Sequence, residues 1–234
     1  MEMSRKIVRR SLNNTMAIIV DGKDEKWYIE TVKKHYQAQC PALKRVKIEP
    51  NLPQQKKIQE LFALAEAKHT EGYKHIVLIV DLDAIITDPK EMQKFKDLYN
   101  KYVSVGIGKA SSRNKWMQDL TLILNNPCVE YWYLIHFKFT NKLFGSYEAL
   151  KPELQKYLSG YEKSEAYYKG VPDIYTRLGE AKGLATARQN AQKFLPFNLS
   201  SCQTVGISEM NKLFDIFDEL WGGRGRQAGF VDSL

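Results

Sequence analysis

His75-Ile76-Val77-Leu78-Ile79-Val80, followed at once by Asp81-Leu82-Asp83, decides how this chain folds. The apolar run is too short for a buried helix, and its β-branched side chains pack well on a pleated surface. It lacks the polar alternation of a half-exposed strand, so it reads as a strand covered on both faces, the usual condition in a parallel sheet. Parallel neighbours need crossovers, usually helical, so helices are expected on either side.

Working outward, Met16–Val20 (MAIIV) is a second short apolar run and ends at Asp21-Gly22. Asp24 to Gln37 carries Trp27, Tyr28, Thr31, Val32 and Tyr36 at helical spacing. Leu43–Ile48 is a candidate strand, and Pro50 and Pro53 punctuate the junction to a helix over Gln54–Lys68. Downstream, Pro89 opens a helix through Tyr102, and Val103–Ile107 and Leu120–Leu124 are candidate strands. This alternation predicts an α/β core over residues 15–140, a mainly parallel sheet flanked by helices. Lys138–Gly145 is polar and marks a boundary. Residues 147–221 predict a helical C-terminal region, with segments at Glu148–Leu158, Ser164–Tyr168, Val171–Leu178, Gly183–Phe194 and Ser208–Trp221. The Gly- and Arg-rich residues 222–234 are expected to be a flexible tail.

Composition narrows the function classes. The 234 residues are 44% hydrophobic and 26% charged, ordinary for a soluble globular protein. No stretch approaches the roughly 20 apolar residues that cross a bilayer, so no membrane association is expected. The charged N-terminus is not followed by a secretory apolar region, which points to the cytoplasm. Cys40, Cys128 and Cys202 are scattered, without CxxC spacing, and no HExxH is present, so neither a zinc site nor a disulfide framework is indicated. No GxxxxGK[ST] occurs, which excludes a P-loop ATPase. The net charge of +8 favours polyanionic partners, nucleic acid first among them, although solubility alone can account for it.

Three segments are candidates for chemistry. Asp21-Gly22-Lys23-Asp24-Glu25 follows a strand, in the crevice where open α/β sheets place ligands. Gly22 permits a tight turn, and Glu25 can reach the same space as Asp21; the same acids equally suit a helix N-terminus. Asp81 and Asp83, two apart on an extended chain, would converge on one side. Hard oxygen ligands of this kind suit Mg²⁺ or Mn²⁺, while two solvated aspartates also suit a turn. The third segment is Asn126-Pro127-Cys128-Val129-Glu130-Tyr131-Trp132-Tyr133-Leu134-Ile135-His136-Phe137. Asn126 can cap a helix and Pro127 suits its first position. Val129, Trp132, Tyr133 and His136 share a helical face. His136 is a candidate acid/base group, or a hydrogen-bonded core histidine. Lys109, Arg113 and Lys115 follow Gly106-Ile107-Gly108 and, with Lys23, are candidate phosphate contacts. Tyr161, Tyr167, Tyr168 and Tyr175, interleaved with Lys163, Lys169 and Arg177, suit stacking on single-stranded bases or a tyrosine core.

In this order the three segments resemble the RloB-like family, over roughly Met16 to Leu220. Its opening pattern is matched by Asp21-Gly22-Lys23-Asp24-Glu25-Lys26-Trp27-Tyr28 and its Asp-x-Asp by Asp81-Leu82-Asp83. Its most distinctive signature is Asn-Pro-x-x-Glu-x-Trp-x-Leu-x-His-Phe. Asn126, Pro127, Glu130, Trp132, Leu134, His136 and Phe137 match it. The resemblance implies a Toprim-like α/β fold with a helical C-terminal extension, and a Mg²⁺- or Mn²⁺-dependent nuclease acting on RNA, tRNA included, or DNA in bacterial anti-phage defence. It implies metal held by Asp21, Asp81 and Asp83, with Glu25, Glu130 and His136 completing the catalytic set, a partner ATPase encoded nearby, and room for a homodimer. Asp21 departs from the glutamate usual in Toprim enzymes, keeping the charge on a shorter arm. The alternative expectation is a non-catalytic module that docks on the ATPase.

Overall fold

The computed structural model describes residues 16–37, 41–51, 56–109 and 111–221; the tail 222–234 lies outside the described residues. In chain order the elements are β1 (Met16–Ile19), α1 (Lys23–Gln37), β2 (Lys47–Glu49), α2 (Ile58–Thr70), β3 (His75–Asp81), α3 (Asp83–Thr87), α4 (Pro89–Gly106), β4 (Leu120–Asn126), α5 (Glu130–Leu134), α6 (Tyr147–Leu154), α7 (Glu165–Lys169), α8 (Ile174–Arg177), α9 (Glu180–Ala191), β5 (Ile207–Ser208) and α10 (Asn211–Trp221). The sheet runs β2-β1-β3-β4-β5. The first four strands are mutually parallel, and β5 adds antiparallel to β4. This is the expected α/β architecture, a mainly parallel sheet flanked by helices.

The unbroken apolar run of β3 is explained by burial on both faces. Val77 and Ile79 join Ile18 and Ile123 in one core, under α1, α5 and the helices from α6 to α10. Ile76, Leu78 and Val80 join Ala17, Ile19, Leu122 and Leu124 in the other, under α2 and α4. The first core is continuous from the sheet through Trp132 to Leu150, Tyr161, Leu184 and Phe214.

Four local expectations are corrected. Val103–Ile107 is the last turn of α4 and the residue after it, not a strand. Met92, Phe95, Tyr99, Tyr102 and Val105 pack on one core at spacings of three and four, and this helical period overrides the alternation of Val103, Val105 and Ile107. Leu43–Ile48 divides into a 3-10 helix, Pro41–Arg45, and the three-residue β2. Ser208 lies in β5 instead of opening a helix. Asn126 ends β4, and its Nδ2 donates to Cys202 O and Val205 O, both 2.7 Å, so it caps nothing; α5 begins only at Glu130.

Candidate carboxylate site

Parallel strands end on the same side of a sheet, so the segments that leave β1, β3 and β4 share one crevice. β1 ends at Ile19, and Gly22 turns the chain into α1, placing Asp21 on the turn and Asp24 and Glu25 on the first helical turn. A Cβ on Gly22 would collide with Glu25 Oε2, so a side chain there displaces that carboxylate. Asp81 ends β3, Asp83 opens α3 and Glu130 opens α5. Because Leu82 is already helical, Asp81 and Asp83 do not lie side by side on one extended strand as expected. They remain close enough to act on each other electrostatically.

Asp81 is the hub. Its Oδ1 accepts from Asn125 Nδ2 and its Oδ2 from the Val129 N–H at the entry to α5, both at 3.1 Å. The fully buried Asn125 in turn accepts from Ser208 Oγ at 2.7 Å, so β4 and β5 together set the orientation of Asp81. The Glu25 carboxyl lies within hydrogen-bonding reach of Asp81. Two carboxyl groups can bond only when one is protonated. Burial, and then the Glu25 charge, pushes the Asp81 pKa well above the carboxylate range. Burial also raises Glu25, with Asp24 and Glu130 adding to it. Glu25 Oε2 and Glu130 Oε2 are buried and, among the described residues, have no hydrogen-bond donor.

Glu130 is completely buried, and its Oε1 accepts from Tyr161 OH at 2.7 Å. Lys163 Nζ stands 2.9 Å from the same oxygen and 3.0 Å from Asp24 Oδ2. Burial alone would lower the Lys163 pKa, but the Glu130 and Asp24 charges override it and raise it. The sequence reading missed Lys163 as a site residue, since one lysine in a basic region carries no signal until Glu130 is brought beside it.

The remaining sequence-predicted residues divide. Asp21 is turned toward the Lys56 N–H, which donates to its Oδ1 at 2.6 Å; burial raises its pKa and the charge of Asp83 adds to the effect. Burial likewise raises Asp83 and Asp24. His136 stands apart, in the turn beyond the C-terminal end of α5, which Glu130 opens. Its Nδ1 is hydrogen-bonded to Trp132 O at 2.9 Å, its ring meets the Trp132 ring edge-on, and burial lowers its pKa to about 4. It is a neutral core histidine. Lys23 is exposed at the first residue of α1, next in sequence to the turn that carries Asp21. Lys109, Arg113 and Lys115 are exposed on the segment that leads into the start of β4. They therefore lie at the opposite end of the sheet, since a strand of this length spans roughly 20 Å. Tyr161, Tyr167 and Tyr168 are buried in the first core, so they are not open stacking surfaces.

Among the described residues, no three His, Cys, Asp or Glu side chains stand as a ready-made metal site. The donor set nevertheless fits a hard divalent cation: orphaned oxygens on Glu25 and Glu130, and raised carboxyl pKa values where like charges crowd without a cation between them. Glu25 and Asp81, flanked by Asp83 and Glu130, are the residues that would hold it.

Fold and site together define an α/β protein with a buried carboxylate cluster at the carboxyl end of a mainly parallel sheet. The RloB-like protein family matches residues 16–215, and the chain belongs to that family. Comparison with curated proteins and with solved structures returned no match. Among the described residues no helix is long and apolar enough to cross a membrane.

Proposed function

We propose that this protein is a metal-dependent, Toprim-type nuclease that hydrolyses phosphodiesters in RNA, tRNA included, or in DNA, as a cytoplasmic effector of bacterial anti-phage defence. The observation that carries the reading is the pair of buried carboxylate oxygens without donors among the described residues, on Glu25 and Glu130, set among Asp81, Asp83 and Asp24. A bound Mg²⁺ or Mn²⁺ would polarise a phosphate oxygen and lower the pKa of a water. Asn125 and the Val129 N–H hold Asp81 in one orientation for that ion. Glu25 supplies the longer carboxylate arm that Asp21, bonded to the Lys56 N–H, does not. Lys23, exposed at the first residue of α1, would meet a phosphate of the substrate backbone.

The test is cleavage of tRNA and of duplex DNA in Mg²⁺ by the wild type, Asp81→Asn and a triple Asp21→Ala, Asp81→Ala, Asp83→Ala variant, each checked for a wild-type thermal transition. Cleavage lost in folded variants supports the reading; cleavage that survives in the triple variant ends it. A second reading, a non-catalytic module docked on a partner ATPase, is favoured by Lys163, which already pairs with both Glu130 and Asp24. Its signature is a stable complex with the ATPase in a protein that binds no Mn²⁺.

A further inference from the structure

Glu130 is fully buried, and an uncompensated carboxylate in that position costs several kcal/mol. Among the described residues the cation within ion-pair distance of it is Lys163, which meets one carboxylate oxygen and leaves Oε2 without a donor. Lys163 also bridges to Asp24 and stands 4.1 Å from the centre of the Tyr147 ring. It belongs to the irregular connection between α6 and α7, and its side chain keeps 35% exposure. A compact ammonium on a flexible four-carbon stem at such a place can leave without unfolding an element.

We propose that Lys163 is an internal counter-ion: its ammonium occupies the Glu130 and Asp24 side of the carboxylate cluster, and a divalent ion entering the cluster beside Glu25 and Asp81 displaces it. The inference rests on the metal-dependent reading above and concerns how the ion gains access. Half of the Glu130 carboxylate is unused by the ammonium, while a divalent ion brings twice the charge and can engage both oxygens.

The experiment is Mn²⁺ titration calorimetry on the full chain, comparing wild type, Lys163→Met and Lys163→Arg. Lys163→Met is expected to bind Mn²⁺ at least tenfold more tightly, or with one further equivalent, while Lys163→Arg stays near the wild type. Equal or weaker binding by Lys163→Met, with a wild type that does bind, overturns the counter-ion and leaves the metal-dependent reading standing. Absence of binding in all three overturns both. Should Lys163→Met fail to fold, the wild type alone decides: acetylation of Lys163 by an amine-reactive ester, followed by peptide mass spectrometry, is expected to accelerate severalfold when Mn²⁺ is added. An unchanged rate overturns the proposal.

Discussion

Asn125 shows how much of this site depends on single uncharged side chains. It sits opposite Asp81 in the β3–β4 register and links that carboxylate to Ser208. Asn125→Ala removes the donor to Asp81 Oδ1 and strands the Ser208 hydroxyl. The expected cost is about 1–3 kcal/mol in urea unfolding, with weaker Mn²⁺ binding. Asn125→Asp sets another acid against Asp81, so its destabilisation should be larger at pH 8 than at pH 5; a pH-independent cost would contradict the carboxylate repulsion. His136 makes the opposite point, that a residue with catalytic chemistry can be structural. Its pKa is about 4 in the folded chain against 6.5 when free. The shift costs nothing above pH 6.5, where both states are neutral. As pH falls from 6.5 toward 4, the unfolded chain takes up a proton that the folded chain refuses, and up to about 3 kcal/mol of stability is lost. His136→Gln should flatten that acid limb while metal binding at pH 7.5 stays unchanged. An equally steep loss in the variant would show that other groups dominate.

At the scale of elements, α5 departs furthest from its expected form. The spacing of Val129, Trp132, Tyr133 and His136 predicts one buried face, yet every residue from Cys128 to His136 is buried. The reason is position: α5 lies between the sheet and the C-terminal helices, so no side of it meets water, and hydrophobic periodicity loses its meaning. Trp132 donates its ring N–H to Tyr28 OH at 2.7 Å and stacks on Phe214, joining α1, α5 and α10. Trp132→Ala should cost about 3–5 kcal/mol by calorimetry, without abolishing Mn²⁺ binding in whatever fraction stays folded. The contact of α8 with α9 is equally close. A Cβ on Gly183 would overlap Leu178 O, so Gly183→Ala is expected to destabilise by about 1–3 kcal/mol or more, and a neutral result would show that the α8–α9 joint can relax.

Across the whole molecule, the two charge features lie at opposite ends of one sheet: carboxylates where β1, β3 and β4 finish, and Arg113 and Lys115 where β4 begins. Changing Lys109, Arg113 and Lys115 together to Gln should leave Mn²⁺ affinity within about twofold, the pair interaction being screened beyond roughly 10 Å at 0.1 M salt. It should instead lower nucleic-acid affinity and flatten its salt dependence. A large loss of Mn²⁺ binding would contradict the separation. The sequence by itself determined the class of this fold. The apolar runs Met16–Val20 and His75–Val80, with helical periods between them, are local patterns, and local patterns survive without knowledge of partners. It also marked Asp21, Glu25, Asp81 and Asp83 as candidates, because acids that follow buried strands must emerge at one sheet end, and Glu130 through the family resemblance of the segment Asn126–Phe137. Only the tertiary structure decided that Glu25 faces Asp81 while Asp21 turns to the Lys56 N–H, that His136 is neutral core, and that Lys163 neutralises Glu130. Those outcomes depend on contacts between residues as many as 56 positions apart in the case of Glu25 and Asp81. Burial and charge pairing across such distances are properties of the packed molecule, and no window of sequence contains them.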